Sequence, residues 1–271
     1  MAAPLICSPH LSDLGTLVVS SEVPGMEGSN LLSKQPFNKW RTQDLSGIYL
    51  TMDKGSAQAV GLVFLGFTNA TSAGQARVRG ADSEANLTAA PTYDSGLVDI
   101  WLKTDLDDRG LPYHFLHILP TTQTLRWWRI DITDAANADG YFEAGRLYIV
   151  NPWQPSRGIQ FAYQPPGPVP RSEQQESIGG NTFVTVREAG EYSEFSFRFS
   201  DLTAEKTEVS DNVRVLDRIR GDSKDILVVL EPDQTDFLMD NIIYGVAQNL
   251  RGAYSPSYRI IEKRYQIKAL Q

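Results

Sequence analysis

The first half of the chain is built from short apolar runs separated by clusters of Gly, Asn, Asp and Ser. Ile48, Leu50 and Met52 alternate with other residues, as expected for a strand with one buried face. The run 60–67 is apolar at nearly every position, which predicts a central strand covered on both faces. The pattern between residues 15 and 150 therefore predicts an all-β unit.

The segment 125–132 shows the same period of two. Successive side chains of a strand point to opposite faces, so the segment has an apolar face and a mixed face. The residues expected in the core are Trp128, Ile130 and Ile132. The residues expected on the other face are Trp127, Arg129 and Asp131.

Six prolines between residues 151 and 170 mark a change in the character of the chain. Proline cannot donate a hydrogen bond to a sheet, so this density favours an extended, polyproline-like connector. We therefore expect a first domain over residues 1–150, a connector over 151–171 and a second domain over 172–271.

The second domain is predicted to be α+β and smaller than the first. The segments 182–187 and 192–199 favour two strands of one hairpin, and 226–230 and 258–267 favour two further strands. Apolar positions spaced three or four residues apart predict a helix that begins near Asp201 or Thr203 and ends at Gly221.

The order of segments in the first half carries a family resemblance. Asn30-Leu31-Leu32 precedes Trp40-Arg41-Thr42, and the strand 48–52, the apolar run and the strand 127–130 follow. In this order the segments resemble the galactose-binding-like (discoidin-type) jelly roll, over about the first 150 residues. The resemblance implies a mainly β chain with an N-terminal jelly-roll β-sandwich.

Two segments of the second half, 225–233 (DILVVLEPD) and 243–245 (IYG), are similar to segments of minor tail proteins from siphophages and gene transfer agents. The resemblance implies a distal-tail or baseplate protein of a bacteriophage virion, with a tail-tube-like β-sandwich plus a helix. Such a protein forms a homo-oligomeric ring, expected to be a hexamer, that joins the tail tube to the tip. Its partners would be tail tube, tape measure and hub proteins, and it would be made in the host cytoplasm.

Composition narrows the classes of partner. The formal net charge is −8, so specific binding of nucleic acid is not expected. No run of about twenty apolar residues occurs, so we expect no membrane span. Cys7 is the single cysteine, and we expect no cofactor.

The sequence carries no motif for catalysis. It contains no Gly-x-Ser-x-Gly, no His-Glu-x-x-His and no phosphate-binding glycine loop, so we expect a non-enzyme. His114 and His117 are three residues apart on a predicted strand and point to opposite faces, which disfavours a metal site. The acidic segment 105–110 lacks the glutamate of a calcium loop and favours a turn.

The alternative function is recognition of host cell-surface polysaccharide by the first domain. An aromatic ring beside polar side chains is what stacks on a sugar. The candidate carbohydrate-binding residues are Trp40, Arg41, Trp127 and Arg129. Trp40 stands in a polar stretch that would expose it in a loop. Trp101 is a further candidate ring. The competing interpretation is that the tryptophans of a jelly roll, these three included, fill the core or a subunit interface.

Overall fold

The fold is described from a computed structural model. It covers residues 3–7, 12–101, 113–156, 164–169, 173–176, 182–185, 190–200, 212, 224–234, 238, 241–248, 254–257 and 260–270. The chain divides into two compact units, Cys7–Trp153 and Met1–Ile6 with Gln154–Gln271. The predicted first domain began at residue 1, whereas the first six residues cluster with the second unit.

The first unit is made almost entirely of strands. Numbered along the whole chain after β1 (Leu5–Cys7), they are β2 (Thr16–Val19), β3 (Trp40–Arg41), β4 (Ile48–Thr68), β5 (Gln75–Ala81), β6 (Tyr93–Asp99), β7 (Tyr113–Thr133), β8 (Glu143–Ala144) and β9 (Arg146–Val150). A 3-10 helix, Gly28–Leu32, and a single helical turn α1, Asn86–Ala89, are its only described helices. Neither of these helices is long and apolar enough to span a bilayer.

Two long antiparallel strands, β4 and β7, organise the first unit. The sheet order is β2-β4-β7-β5-β6, and β9 pairs with the second half of β4. The register of β4 with β7 shifts between Asp53 and Gln58, next to Gly55, whose φ is +75°. Such bulges bend a strand. Side chains from both halves of β4, among them Leu50 and Leu65, share one core, so the sheet folds over on itself as a sandwich.

The predicted faces of the central strands are confirmed. Trp128, Ile130 and Ile132 lie in the core, and every residue from Val60 to Thr68 is buried. The outward side of the apolar run is not exposed, because Phe64 packs edge-on against Tyr148 with ring centroids 6.0 Å apart.

A buried ion pair attaches the start of the first unit to β9. The Arg146 side chain is fully buried, and its Nη1 and Nη2 donate to Asp13 Oδ1 and Oδ2 at 2.9 and 3.1 Å. Nη1 also donates to the Leu31 carbonyl at 3.0 Å. Because breaking a buried charge pair costs several kcal/mol, these contacts fix the segment before β2 and the 3-10 helix against the sandwich.

The second unit contains a larger sheet. Its strands are β10 (Gln164–Val169), β11 (Glu173–Glu176), β12 (Thr182–Thr185), β13 (Gly190–Ser200), β14 (Asp225–Val229), β15 (Ile242–Gln248), β16 (Tyr254–Ser257) and β17 (Ile260–Ala269). The sheet order is β1-β14-β15-β17-β13-β10, with β16 on β17, and β11 pairs with β12 separately. The prediction of a mainly β chain is confirmed.

Three sequence expectations for this half differ from the structure or lie outside it. The expected hairpin of 182–187 with 192–199 is wrong, because β12 pairs with β11 while β13 pairs with β10 and β17. Strand β10 lies inside the predicted connector, at the sheet edge, where proline removes no essential ladder bond. Apart from Asn212, the predicted helix between 201 and 221 lies outside the described residues.

Lys54 is a buried cation on β4. Lys54 is only 6 % exposed, and its Nζ donates to the Ile149 carbonyl at 2.8 Å. Burial lowers the pKa of Lys54 to about 8. A lysine whose pKa is lower in the folded than in the unfolded chain opposes folding while it is charged, and this penalty is relieved as the pH rises above about 8.

Replacing Lys54 with Met should therefore remove a pH dependence. We expect the free energy of unfolding of the unmodified chain, relative to Lys54→Met, to rise by about 2 kcal/mol between pH 7 and pH 10. Urea unfolding at each pH measures the difference, with Lys34→Met as an exposed control in the same unit. A difference that stays constant over this range would contradict the lowered pKa of Lys54.

Candidate functional site

The structure separates the four sequence candidates into three places. Trp40 is fully buried, its Nε1 donates to the Ser21 carbonyl at 2.9 Å, and its ring meets Phe142 edge-on at 6.1 Å. A buried ring cannot stack on a sugar, so the expectation of an exposed Trp40 is wrong. Pairing of β3 with β8 turns this side chain into the core despite its polar neighbours. Trp101 is buried as well, stacked on Tyr113.

Arg41, the next residue, points away from the core and is fixed on two sides. Its Nη2 and Nε donate to Glu143 Oε2 at 2.8 and 3.1 Å, across the β3–β8 pair. Its guanidinium carbon lies 4.0 Å above the centre of the Tyr141 ring. Lys39 pairs with the other carboxylate oxygen of Glu143. One carboxylate thus orients two cations at the edge of the sandwich.

The electrostatics of Glu143 follow from this arrangement. Burial alone would raise the pKa of Glu143, but hydrogen bonds and charges from Lys39 and Arg41 together bring that pKa below its ordinary value. The hydrogen bond to Glu143 is also the main cause that raises the pKa of Arg41. Both groups are therefore charged at neutral pH, and the carboxylate is not available as a proton donor.

Asn69 joins the neighbouring loops to the Glu143 clamp, by which we mean the contacts of the Glu143 carboxylate with Lys39 and Arg41. Its Nδ2 donates to Asp139 Oδ2 at 2.8 Å and to the Tyr141 carbonyl at 3.1 Å, and its Oδ1 accepts from the Glu143 amide at 2.8 Å. We call the group the loop-end surface; its members are Lys39, Arg41, Asn69, Asp139, Tyr141 and Glu143. It presents cationic donors, the exposed carboxylate of Asp139 and a partly exposed aromatic ring.

Buried Asp134 holds the loops beneath the loop-end surface. It accepts hydrogen bonds from the Thr71 amide at 2.9 Å and from Asn137 Nδ2 at 3.2 Å. Asn137 also donates to the Asn69 carbonyl at 3.0 Å. Because the buried side chains of Asp134 and Asn137 are hydrogen-bonded to both neighbouring loops, the loop-end surface rests on an ordered base.

Of the loop-end surface, only Arg41 was predicted from the sequence. Tyr141 and Asn69 belong to no periodic run, and only their contacts with Arg41 and Glu143 identify them. Phe37 was not predicted either; it is 68 % exposed and stands two residues before Lys39. In the sequence, the signal for Phe37 was a phenylalanine surrounded by polar residues.

Trp127 and Arg129 lie on the opposite face of β7 from the core, as predicted, and therefore on the outer face of the β2-β4-β7-β5-β6 sheet. The Arg129 guanidinium lies 3.7 Å above the Tyr49 ring. The Arg126 guanidinium lies 5.3 Å from the centre of the Trp127 ring. The structure does not place these residues in the loop-end surface.

His114 and His117 have separate environments. His114 Nδ1 accepts from the Phe67 amide at 3.0 Å, and burial lowers the pKa of His114 to about 4. His117 Nε2 lies 2.6 Å from the Tyr93 hydroxyl. Within the described ranges no three His, Cys, Asp or Glu side chains are grouped as metal ligands. The acidic segment 105–110 lies outside the described residues.

No protein-family model matches this chain, and no curated protein matches it. Among solved structures, the lectin domain of lectinolysin complexed with Lewis B antigen is 12 % identical, with a TM-score of 0.39 over 52 % of this chain and 95 % of that one. Chitosan-binding module 1 of a chitosanase/glucanase from Paenibacillus sp. IK-5 is 17 % identical, with a TM-score of 0.38 over 52 % and 98 %. The family 32 CBM from C. perfringens NanJ in complex with galactose is 12 % identical, with a TM-score of 0.40 over 53 % and 98 %.

We expect Glu143→Gln to weaken the Glu143 clamp and lower the free energy of unfolding. The pKa of Glu143 is lower in the folded chain, so its contribution to stability is present at neutral pH and is lost as the pH falls through that pKa. At pH 7 the variant should lose about 1 kcal/mol of unfolding free energy, and this loss should shrink towards pH 4. Urea unfolding at pH 4, 5.5 and 7 measures it, with exposed Glu84→Gln as the control. Equal losses at all three pH values would refute the clamp.

Proposed function

We propose that the first unit binds carbohydrate at the loop-end surface. The observation that carries this proposal is the Arg41 guanidinium, which is seated 4.0 Å over the Tyr141 ring and held there by Glu143. A sugar offers hydroxyls that donate and accept, and apolar ring faces. The loop-end surface offers the matching groups: cationic donors, the Asp139 carboxylate and an aromatic ring.

Pre-organisation favours binding at this place. Arg41 is already oriented by Glu143 Oε2, so little side-chain entropy is lost when its remaining N–H groups meet a ligand. Asp139 uses Oδ2 for Asn69 and keeps Oδ1 for a hydroxyl donor. Phe37, two residues before Lys39, offers a second exposed aromatic ring. These features support recognition without a conformational change.

The same geometry supports binding rather than hydrolysis. Glycoside hydrolysis needs one carboxyl group that stays protonated near neutral pH as well as a second carboxylate. Glu143 has a lowered pKa and is engaged by two cations, which is the reverse of the state required of a general acid. We therefore infer a non-enzymatic binding module.

The predicted virion role is a separate matter. A ring at the tail tip, its location in a virion and its tail tube, tape measure and hub partners stay predictions from the sequence of the second half. Within the described strands β10 to β17, no contact favours that role over another. Carbohydrate binding by the first unit is compatible with it, because a receptor-binding surface on the outside of a particle need not take part in assembly.

A glycan array followed by calorimetry on the full-length chain tests the proposed function. We expect saturable binding of a neutral sugar from a panel of galactose, fucose and N-acetylglucosamine oligomers. Tyr141→Ala should weaken the binding about tenfold or more because the stacking surface is lost, whereas Tyr141→Phe should retain most of it. Arg41→Ala should weaken it to a similar degree.

The matched control is Leu14→Ala, which removes an apolar side chain that is 74 % exposed in the same unit. It should bind like the unmodified chain. If no sugar of the panel bound saturably, or if Tyr141→Ala bound as tightly as Leu14→Ala, the proposed function would have to be given up.

A further inference from the structure

Two arginines stand directly opposite each other on the outer face of the first sheet. Arg79 on β5 and Arg129 on β7 are register partners, so their side chains leave neighbouring strands at the same level. Like charges in this position repel each other and normally destabilise a sheet. A pair of this kind requires a compensating anion nearby.

A single carboxylate contacts both arginines and offsets only one of their two charges. Asp131 Oδ2 accepts from Arg79 Nε at 2.9 Å, and Asp131 Oδ1 accepts from Arg129 Nε at 2.8 Å. The side chains are largely enclosed, with exposed fractions of 11 % for Arg79, 19 % for Arg129 and 26 % for Asp131. Partial burial weakens the screening by water, so the excess positive charge is felt locally.

The neighbouring charges do not remove this excess. Arg77 is paired with Asp94 through Nε at 2.8 Å, so the group holds three arginines and two aspartates, a net charge of 3 − 2 = +1. The formal charge of the whole chain is −8. These five described side chains therefore form a locally positive group on a protein that is acidic as a whole.

Arg129 keeps donors that its described neighbours do not use. Only its Nε donates to a carboxylate, and the guanidinium carbon lies 3.7 Å from the centre of the Tyr49 ring. Nη1 and Nη2 thus form an oriented fork without a partner among the described residues. A planar fork of this kind matches the two oxygens of a carboxylate.

We propose that the Arg79–Arg129 pair binds the carboxylate of an acidic glycan, such as a uronic acid. The added anion would balance the positive charge that Asp131 does not neutralise. The rest of the face suits a sugar chain, because Val18, 53 % exposed, and Leu97, 64 % exposed, provide apolar contacts on either side of the arginines. The class of ligand rests on the proposed carbohydrate binding, but the surface is a different one.

Calorimetry of the full-length chain with oligogalacturonate, at low and at moderate salt, tests this inference. We expect binding that weakens with salt, and no binding of the fully methyl-esterified oligomer, which lacks the charge. Arg129→Gln should weaken the binding about tenfold or more through loss of charge-assisted hydrogen bonds. Arg129→Lys should also weaken it, because an ammonium lacks the fork. Thermal unfolding checks that each variant is folded.

Two comparison variants separate this surface from the loop-end surface. Lys224→Gln makes the same change of charge at an exposed position in the second unit and should leave the binding unchanged. Tyr141→Ala should bind oligogalacturonate normally while losing the neutral sugar. If Arg129→Gln bound oligogalacturonate as the unmodified chain does, or if the unmodified chain bound only neutral sugars, this inference would be wrong and the proposed function would stand.

A peptide of glutamates serves as the competing anion. Displacement of oligogalacturonate by the peptide at equal or lower concentration would show that the surface prefers protein carboxylates, and it would overturn the glycan assignment. Failure of the peptide to compete at that concentration supports it.

Discussion

The shared carboxylate of Glu143 is the contact on which the candidate site depends. It lies opposite Arg41 in the short β3–β8 pair, binds Lys39 with its other oxygen, and is linked through its amide to Asn69. Without it, the cation–π contact alone would hold the Arg41 guanidinium over the Tyr141 ring. The order of the loop-end surface is thus set by one buried charge rather than by shape alone.

The two surfaces of the first unit use the same physical device. In each, an arginine lies over an aromatic ring and a single carboxylate contacts two cations. The carboxylate is that of Glu143 at the loop end and that of Asp131 on the sheet. They differ in the balance of charge. The loop-end surface includes the further carboxylate of Asp139, which suits neutral sugars, whereas the sheet surface keeps a net positive charge, which suits an acidic one.

Periodicity predicted the strands well because burial on a sheet repeats every two residues. It placed Trp128 inside and Arg129 outside, and both positions are confirmed. It failed where pairing between distant strands decides which side chains are buried and which strands are neighbours. Trp40 is buried because β3 pairs with β8, about a hundred residues away. In the second unit, β12 pairs with β11 rather than with β13. Tyr141 lies in a loop, where no repeat marks a candidate side chain.

The most direct test of carbohydrate binding is an NMR titration of the full-length chain with the neutral sugar that binds best, following the Nε–H signals of the arginines. We expect the Arg41 signal to shift saturably, while the signal of the fully buried Arg146 does not move. Saturable shifts elsewhere, with the Arg41 signal unchanged, would contradict it.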